Sequence, residues 1–330
     1  MSNQVDVLIV GAGITGLMAA NRLHAAGKRV LVVDKGAGVG GRMATRRIGP
    51  GRADHGAQFF TVRTAEFQQH VTQWRAQGLV FVWSHGWSDG SLVGTKSDGY
   101  PRYAVHTGMT AVPKHLAQGL DVRTGVKICR IVQEHDRWQA IDEVGNQYTG
   151  AALMLTSPVP QSLALLAAGD VTLHAADHAA LARIAYAPCL CGLFWVKGKV
   201  HLPEPGALQR PLARISWIAD NQRKGISPDA TLVTVHGGPL FSQGNFDEPE
   251  AVVMDKLQAV LKRHLGDVAT IEAAQYNRWR YALPTTLHPE RFLQAQTMSP
   301  LLFAGDAFKE PRIEGAALSG LAAAGALLEY

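Results

Sequence analysis

Short apolar runs separated by helical spacings recur along the chain, and the clearest block comes first. Val5-Asp6-Val7-Leu8-Ile9-Val10 is the β-branched apolar run that a buried parallel strand needs. About ten residues of helical spacing carry Leu17, Ala20, Leu23 and Ala26, and Val30-Leu31-Val32-Val33 forms a second buried strand ending in Asp34. Between the first strand and the helix lies Gly11-Ala12-Gly13-Ile14-Thr15-Gly16, a G-x-G-x-x-G turn inside a complete βαβ unit. Gly11 permits the tight turn, Gly13 lets a pyrophosphate approach the backbone, and Gly16 lets helix and strand pack closely. The helix N-terminus offers free N–H groups to phosphates. Asp34, 18 residues past Gly16, is placed to accept hydrogen bonds from ribose hydroxyls. The block predicts a dinucleotide site.

Downstream the pattern predicts a helix over 66–78, with Phe67, Val71 and Trp74 inward and Gly78 closing it, then short strands within 79–100 and a helix over 111–117. Strand-like alternation covers 122–132, 138–141 and 151–156, helices 161–168 and 175–184, strands 189–196, 213–219 and 232–236, a helix 249–265 and a strand 273–281. The chain closes with a buried strand over 301–304, Gly305-Asp306, and a small-residue helix over 313–328. The fold class is α/β: a Rossmann-like dinucleotide domain with a mixed-sheet second domain.

Composition narrows the function classes. Forty-seven per cent hydrophobic residues and 34 glycines fit an α/β protein of two domains. The uncharged, mostly alanine and glycine stretch at 315–328 is too short to span a bilayer. The first strand begins by residue 5, which leaves no room for a signal peptide. Three cysteines, Cys129, Cys189 and Cys191, lack metal-ligand spacing and suit free thiols in the cytoplasm. The net charge of +5 is scattered, which suits an anionic cofactor or substrate rather than nucleic acid. His174 and His178, with Asp177, have an i,i+4 spacing that could clamp a metal, but no third well-placed ligand follows, so no metal is expected.

The residues after Asp34 favour FAD over NAD. Asp34-Lys35 runs into Gly36-Ala37-Gly38-Val39-Gly40-Gly41-Arg42-Met43, a second glycine loop where a nicotinamide enzyme would start a helix. Backbone wrapped around a longer enclosed cofactor, with Arg42 near its phosphates, accounts for it. Asp54-His55-Gly56-Ala57-Gln58-Phe59-Phe60 adds small residues and an aromatic pair. With G-G-R and D-x-G-A-Q in this order, the chain resembles the flavin amine oxidase superfamily, in which these stretches lie along FAD. Gly305-Asp306 and Ile313-Glu314-Gly315-Ala316 resemble its second flavin motif, in which the aspartate bonds the ribityl chain and the helix start faces the pyrimidine edge of the flavin. A partial positive charge there favours flavin reduction by roughly 0.3–2 kcal/mol. The small residues of that helix also suit close helix packing. The resemblance implies FAD contacts at Gly11, Gly13, Ile14, Thr15, Gly16, Asp34, Lys35, Gly41, Arg42, Met43, Gly56, Ala57, Gln58, Phe59, Val126 (beside adenine), Thr156, Gly305, Asp306, Glu314, Gly315 and Ala316. No cysteine falls within 282–304, where some relatives tether FAD, so noncovalent FAD is expected.

Stretches 155–160, 192–194, 220–224 and 232–236, together with Arg278-Trp279-Arg280-Tyr281, are similar in the same order to the renalase family. That resemblance implies a p-hydroxybenzoate-hydroxylase-like two-domain fold, with the FAD domain at 1–70, 104–165 and 285–330 and the substrate domain at 71–103 and 166–284. It implies oxidation of 2- or 6-dihydro-NAD(P) to NAD(P)+, with O2 reduced to H2O2. Forming a pyridinium restores aromaticity, so a hydride can leave without a general base. The protein's task is to stack the ring at near-attack distance, roughly 3–3.5 Å. The candidates for that roof are Trp279, Tyr281, His236, Asn221 and Phe59. Trp279 and Tyr281 share one strand face. Three of them have a plainer reading: Trp279 as a core aromatic, His236 as a bonded strand histidine, Asn221 as a turn residue. Arg223, Lys224 and Arg280 are candidates for substrate phosphate, or form a solvated basic face. Rival functions are an amine oxidase with a two-ring cage, a desaturase of larger apolar substrates, and a non-catalytic flavoprotein.

Overall fold

The computed structural model describes residues 4–91 and 95–330. The chain divides into two compact units, one formed by 1–41, 112–185 and 284–330, the other by 42–111 and 186–283. Residues 42–70 and 104–111 thus lie in the second unit and 166–185 in the first, whereas the resemblance implies the opposite assignment for each.

The first unit is a doubly wound sheet. Its strands run in the order Phe292–Gln294, Leu301–Ala304, Gln147–Leu155, Gln4–Val10, Val30–Asp34, Asp121–Thr124, and all neighbours but the first pair are parallel. Ile128–Glu134 and Arg137–Asp142 form an antiparallel flap against Gln147–Leu155. The pattern had merged residues 122–132 into one strand; Gly125, at φ +72°, turns the chain there and splits it in two. Leu8, Ile9, Leu31, Val32 and Val33 have no exposed surface, as strands covered on both faces require. The helices Ile14–Ala25 and Arg312–Leu328 pack against each other at bare backbone. A Cβ on Gly320 would stand 2.1 Å from the Thr15 carbonyl oxygen, and Arg22 Nη1 donates to the Leu321 carbonyl at 3.1 Å. At Gly320, close packing is therefore what the small side chain serves.

The second unit is a seven-stranded mixed sheet, ordered Thr270–Thr286, Ala185–Lys197, Thr231–Gly237, Ile215–Asp220, Ala207–Gln209, Val80–Ser88, Thr95–Val105. The last two form one long hairpin in place of the several short strands expected there. Helix Glu250–Lys262 lays Val253, Leu257 and Leu261 on a core that includes Phe194, Val233 and Val235. Helix Ala65–Ala76 buries Phe67, Val71 and Trp74 and is capped by the Thr64 hydroxyl, which accepts from Phe67 N. A two-stranded ribbon, Thr45–Ile48 with Gly51–Asp54, delivers the chain to the Asp54–Phe60 segment.

Candidate active site

Two clusters carry the candidate chemistry, one in each unit. In the first, Gly11 turns the chain at φ +117°, and a Cβ on it would meet Thr156 Oγ1 at 2.4 Å. Gly16 allows helix and strand to touch, since its Cβ would lie 2.0 Å from the Gly11 oxygen. Gly13 is different: nothing stands within 4 Å of a Cβ built there. The helix that starts beside it has no side-chain cap, so its first amides remain for a ligand. The second glycine loop lies against the first, with Gly40 N donating to the Ala12 oxygen at 2.9 Å and Gly41 beside Gly13. Asp34 makes that junction. Its Oδ2 accepts from Ala12 N at 2.7 Å and its Oδ1 from Gly36 N at 2.6 Å. The carboxylate expected to bind ribose thus holds the two loops together first, with its remaining lone pairs left for hydroxyls.

Around this turn the other expected contacts take definite places. Thr156 donates its hydroxyl to the Val10 and Gly11 carbonyls and braces the turn. Lys35 Nζ reaches Gln161 Oε1, and Val126 N donates to the Asp34 oxygen. Asp306 is buried at the end of strand Leu301–Ala304, and Gly305 N donates to Ser319 Oγ at 2.8 Å. Helix Arg312–Leu328 also starts without a side-chain cap, beside Glu314, Gly315 and Ala316. An open glycine turn, uncapped helix amides and a buried carboxylate at a strand end fit a dinucleotide with a polyol chain. His174 caps helix Ala175–Ala182 at Ala176 N, and Asp177 accepts from Gln296 N.

In the second unit the Asp54–Phe60 segment is the organiser. Gly56 must be glycine, because a Cβ would lie 2.0 Å from the Arg42 oxygen, to which Ala57 N donates at 2.8 Å. Met43 is buried, and its carbonyl accepts from Thr110. Arg42 Nη1 donates to the Tyr281 carbonyl at 3.2 Å. Gln58 is fixed by two bonds from its Nε2, to the Asp54 and Gly56 oxygens, while its Oε1 is buried without a partner. Trp279 lies flat on His55, with ring centroids 5.3 Å apart and planes 18° apart, and its Nε1 donates to the His55 carbonyl at 2.8 Å. The His236 ring also bonds the His55 main chain. His55 Nδ1 and His236 Nε2 are buried without partners among the described residues. Tyr281 turns inward with Trp279, while Arg278 and Arg280 face out, and its ring meets Tyr186 edge-on at 5.6 Å.

The structure therefore brings Trp279 and His236 together and adds His55. Tyr281 shares the inward face of Trp279's strand, and the other two roof candidates, Asn221 and Phe59, lie elsewhere. Asn221 has no exposed surface and is fully used: its Nδ2 donates to the Leu232 oxygen and Thr234 Oγ1, and its Oδ1 accepts from Asp54 N. Phe59 belongs to an aromatic group with Trp87 and Trp217, at 5.1 and 5.5 Å. Of the three basic candidates two are held in ion pairs, and Arg280 is exposed on the outward face of its strand. Lys224 is wholly buried against Asp54, Arg223 pairs with Glu204, and Arg280 lies over Phe246.

Residues 64–328 match the family model of flavin containing amine oxidoreductase, and residues 9–75 that of an NAD(P)-binding Rossmann-like domain. The chain belongs to the flavin-containing amine oxidoreductase family. Its fold is shared with a putative protoporphyrinogen oxidase from Exiguobacterium sp. 255-15, at 14% identity and a TM-score of 0.75 over 100% of both chains. It is shared too with putrescine oxidase in its wild-type form bound to putrescine, at 15% identity and a TM-score of 0.70 over 99% of both chains. As a member of this family the protein is a flavin-dependent oxidoreductase, and no helix among the described residues is long and apolar enough to cross a membrane.

Electrostatics in this flavin oxidoreductase hold both imidazoles neutral. Burial, reinforced by Arg46 and His236, pulls His55 down to about 3. Burial, opposed by the bond to His55 and aided by Lys224, pulls His236 down to about 4. In the unfolded chain both titrate near 6.5. As pH falls through 6.5 the unfolded state takes up protons that the folded state refuses, so stability drops on the acid side. At pH 4.5 the His55 contribution alone is roughly 2–3 kcal/mol. Urea unfolding between pH 7 and 4.5 is expected to show that loss together with a similar one from His236, and His55→Gln to abolish about half of the total; an unchanged pH slope in the variant would remove His55 as a source.

Proposed function

We propose that this enzyme is an FAD-dependent oxidase of 2- or 6-dihydro-NAD(P), with O2 as electron acceptor and H2O2 as product. The observation that carries the reading is the charge around the paired imidazoles. Arg46 is the cation that acts on His55, while the charge of Lys224 near His236 is balanced by Asp54. A cation beside His55 repels a protonated amine and attracts a dinucleotide's phosphates. The similarity of Arg278-Trp279-Arg280-Tyr281 and the other stretches to renalases supports the same substrate class.

In this reading Gly11, Gly13, Ile14, Thr15 and Gly16 hold the pyrophosphate, Asp34 and Val126 the adenosine, Asp306 the ribityl chain, and Glu314 to Ala316 the pyrimidine edge. FAD is bound noncovalently and supplies, when bound, a hydride acceptor and a route for two electrons to O2. Trp279 presents a flat face for the dihydropyridine, which becomes aromatic as the hydride leaves. His55 and His236 remain neutral and form a wall that takes no proton. The enzyme works in the cytoplasm, with free thiols at Cys129, Cys189 and Cys191.

One observation favours a second reading. Tyr186 and Tyr281 meet edge-on, and two aromatic rings are what an amine oxidase uses to hold a neutral amine. Anaerobic stopped-flow reduction separates the two. The flavin is expected to bleach rapidly with 2- or 6-dihydro-NAD(P), and slowly or never with primary amines, putrescine or ordinary 4-dihydro-NADH. Fast bleaching by an amine, with indifference to the dihydropyridines, would reverse the assignment.

A further inference from the structure

The segment that carries the His55 carbonyl is tied down by a wholly buried ion pair. Lys224 Nζ lies 2.5 Å from Asp54 Oδ2, and neither side chain has exposed surface. The other carboxylate oxygen accepts from Thr45 Oγ1 at 2.6 Å and Met109 N at 2.8 Å. Asp54's main chain is held as tightly, its N donating to Asn221 Oδ1 and its carbonyl accepting from Thr234 Oγ1 and Gln58 Nε2. Lys224 and Asn221 stand in one turn after strand Ile215–Asp220, so that turn grips Asp54 at both side chain and main chain. The next carbonyl along the chain is that of His55, which receives the Trp279 indole and the His236 ring. The ammonium is placed further by the Trp83 ring, 5.0 Å from Nζ.

Two buried charges are a costly way to build a turn, and a pair of apolar side chains would serve stability as well or better. What the pair supplies is a direction: a short charge-assisted bond fixes Asp54, and through it the main chain at the His55 carbonyl. We propose that Lys224 is a positioning residue, acting through Asp54 to set the main chain at His55 and so the placement of Trp279 and His236 against substrate. Its kinetic consequence rests on the function proposed above; its structural consequence does not.

The test uses the FAD-loaded protein. In Lys224→Met a buried carboxylate loses its cation, so the 54–58 segment must shift or admit water. FAD is expected to stay bound. KM for the dihydropyridine rises, or flavin reduction slows, by about tenfold or more. The Trp279 indole N–H resonance, assigned by its loss in Trp279→Phe, moves, and the His236 imidazole titrates at higher pH because a nearby cation is gone. Should Lys224→Met fail to fold, the neutral pair D54N/K224Q, joined amide to amide, is read at the same points. It is expected to show the same changes at about a third of the size. Wild-type Trp279 and His236 resonances, with wild-type KM and reduction rate, in whichever variant folds would overturn the proposal. A wild-type enzyme that no dihydropyridine reduces would defeat the proposed function instead, and the two resonances would still decide the role of Lys224.

Discussion

Gly16→Ala is expected to purify without yellow colour. The added methyl would stand 2.0 Å from the Gly11 oxygen and 3.2 Å from Ile9 Cγ2. A backbone carbonyl cannot yield as a side chain can, so helix Ile14–Ala25 must lift from the first strand or the turn must deform. Gly11 has little room to move, because it already sits at φ +117° against Thr156. Overpacking of this kind costs roughly 1–3 kcal/mol or more, and it dismantles the amides proposed to hold the pyrophosphate. Gly13→Ala is the control. Beyond its chain neighbours, no atom of the described residues lies within 4 Å of its Cβ, so thermal stability of the flavin-free protein should change little, while FAD affinity falls at least about tenfold. The ratio of flavin to protein absorbance, read beside the melting temperature of the stripped protein, checks both. A yellow Gly16→Ala protein with wild-type melting would mean that this glycine serves neither purpose.

The contrast between those glycines shows what the sequence made legible. A G-x-G-x-x-G turn, its strands and its helix are decided by neighbours a few residues apart, so the first unit could be read from local pattern. Asp34 was found at the right place but given too simple a role: spacing marks an acid at a strand tip and is blind to the amides of Ala12 and Gly36 that claim it. The second unit resisted more. Lys224 and Asn221 read as turn residues or a basic face, yet they are buried by Asp54, some 170 positions away, and no local pattern announces such a pairing. His55 escaped for another reason. It organises Trp279 and His236 through its main-chain carbonyl, a group every residue owns, and only the fold shows which carbonyl is so used. The faint available signal was the run Asp54-His55-Gly56, a polar pair set against a glycine that has to let Arg42 pass.

Trp279→Ala is expected to leave FAD bound and slow its reduction by about a hundredfold. The indole contributes twice. Its ring lies on His55 with planes 18° apart, and its N–H holds the His55 carbonyl at 2.8 Å. Alanine deletes both, leaving the proposed dihydropyridine substrate without a flat wall and the imidazoles without their cover. Misplacement of a reacting ring by about 1 Å costs on the order of 10²-fold. Trp279→Phe divides the effect: the flat face remains and the hydrogen bond goes, which is worth about 0.5–1.5 kcal/mol, or at most roughly tenfold. The order wild type, phenylalanine, alanine should therefore appear in the anaerobic reduction rate. Stability should fall in the same order by smaller steps, since Trp279 is only half-buried on its strand. Equal rates across the three, with flavin fully bound, would show that substrate is held elsewhere. Equal rates for tryptophan and phenylalanine alone would assign the whole effect to the ring, and leave the His55 carbonyl to be steadied by His236 and by Asp54 beside it.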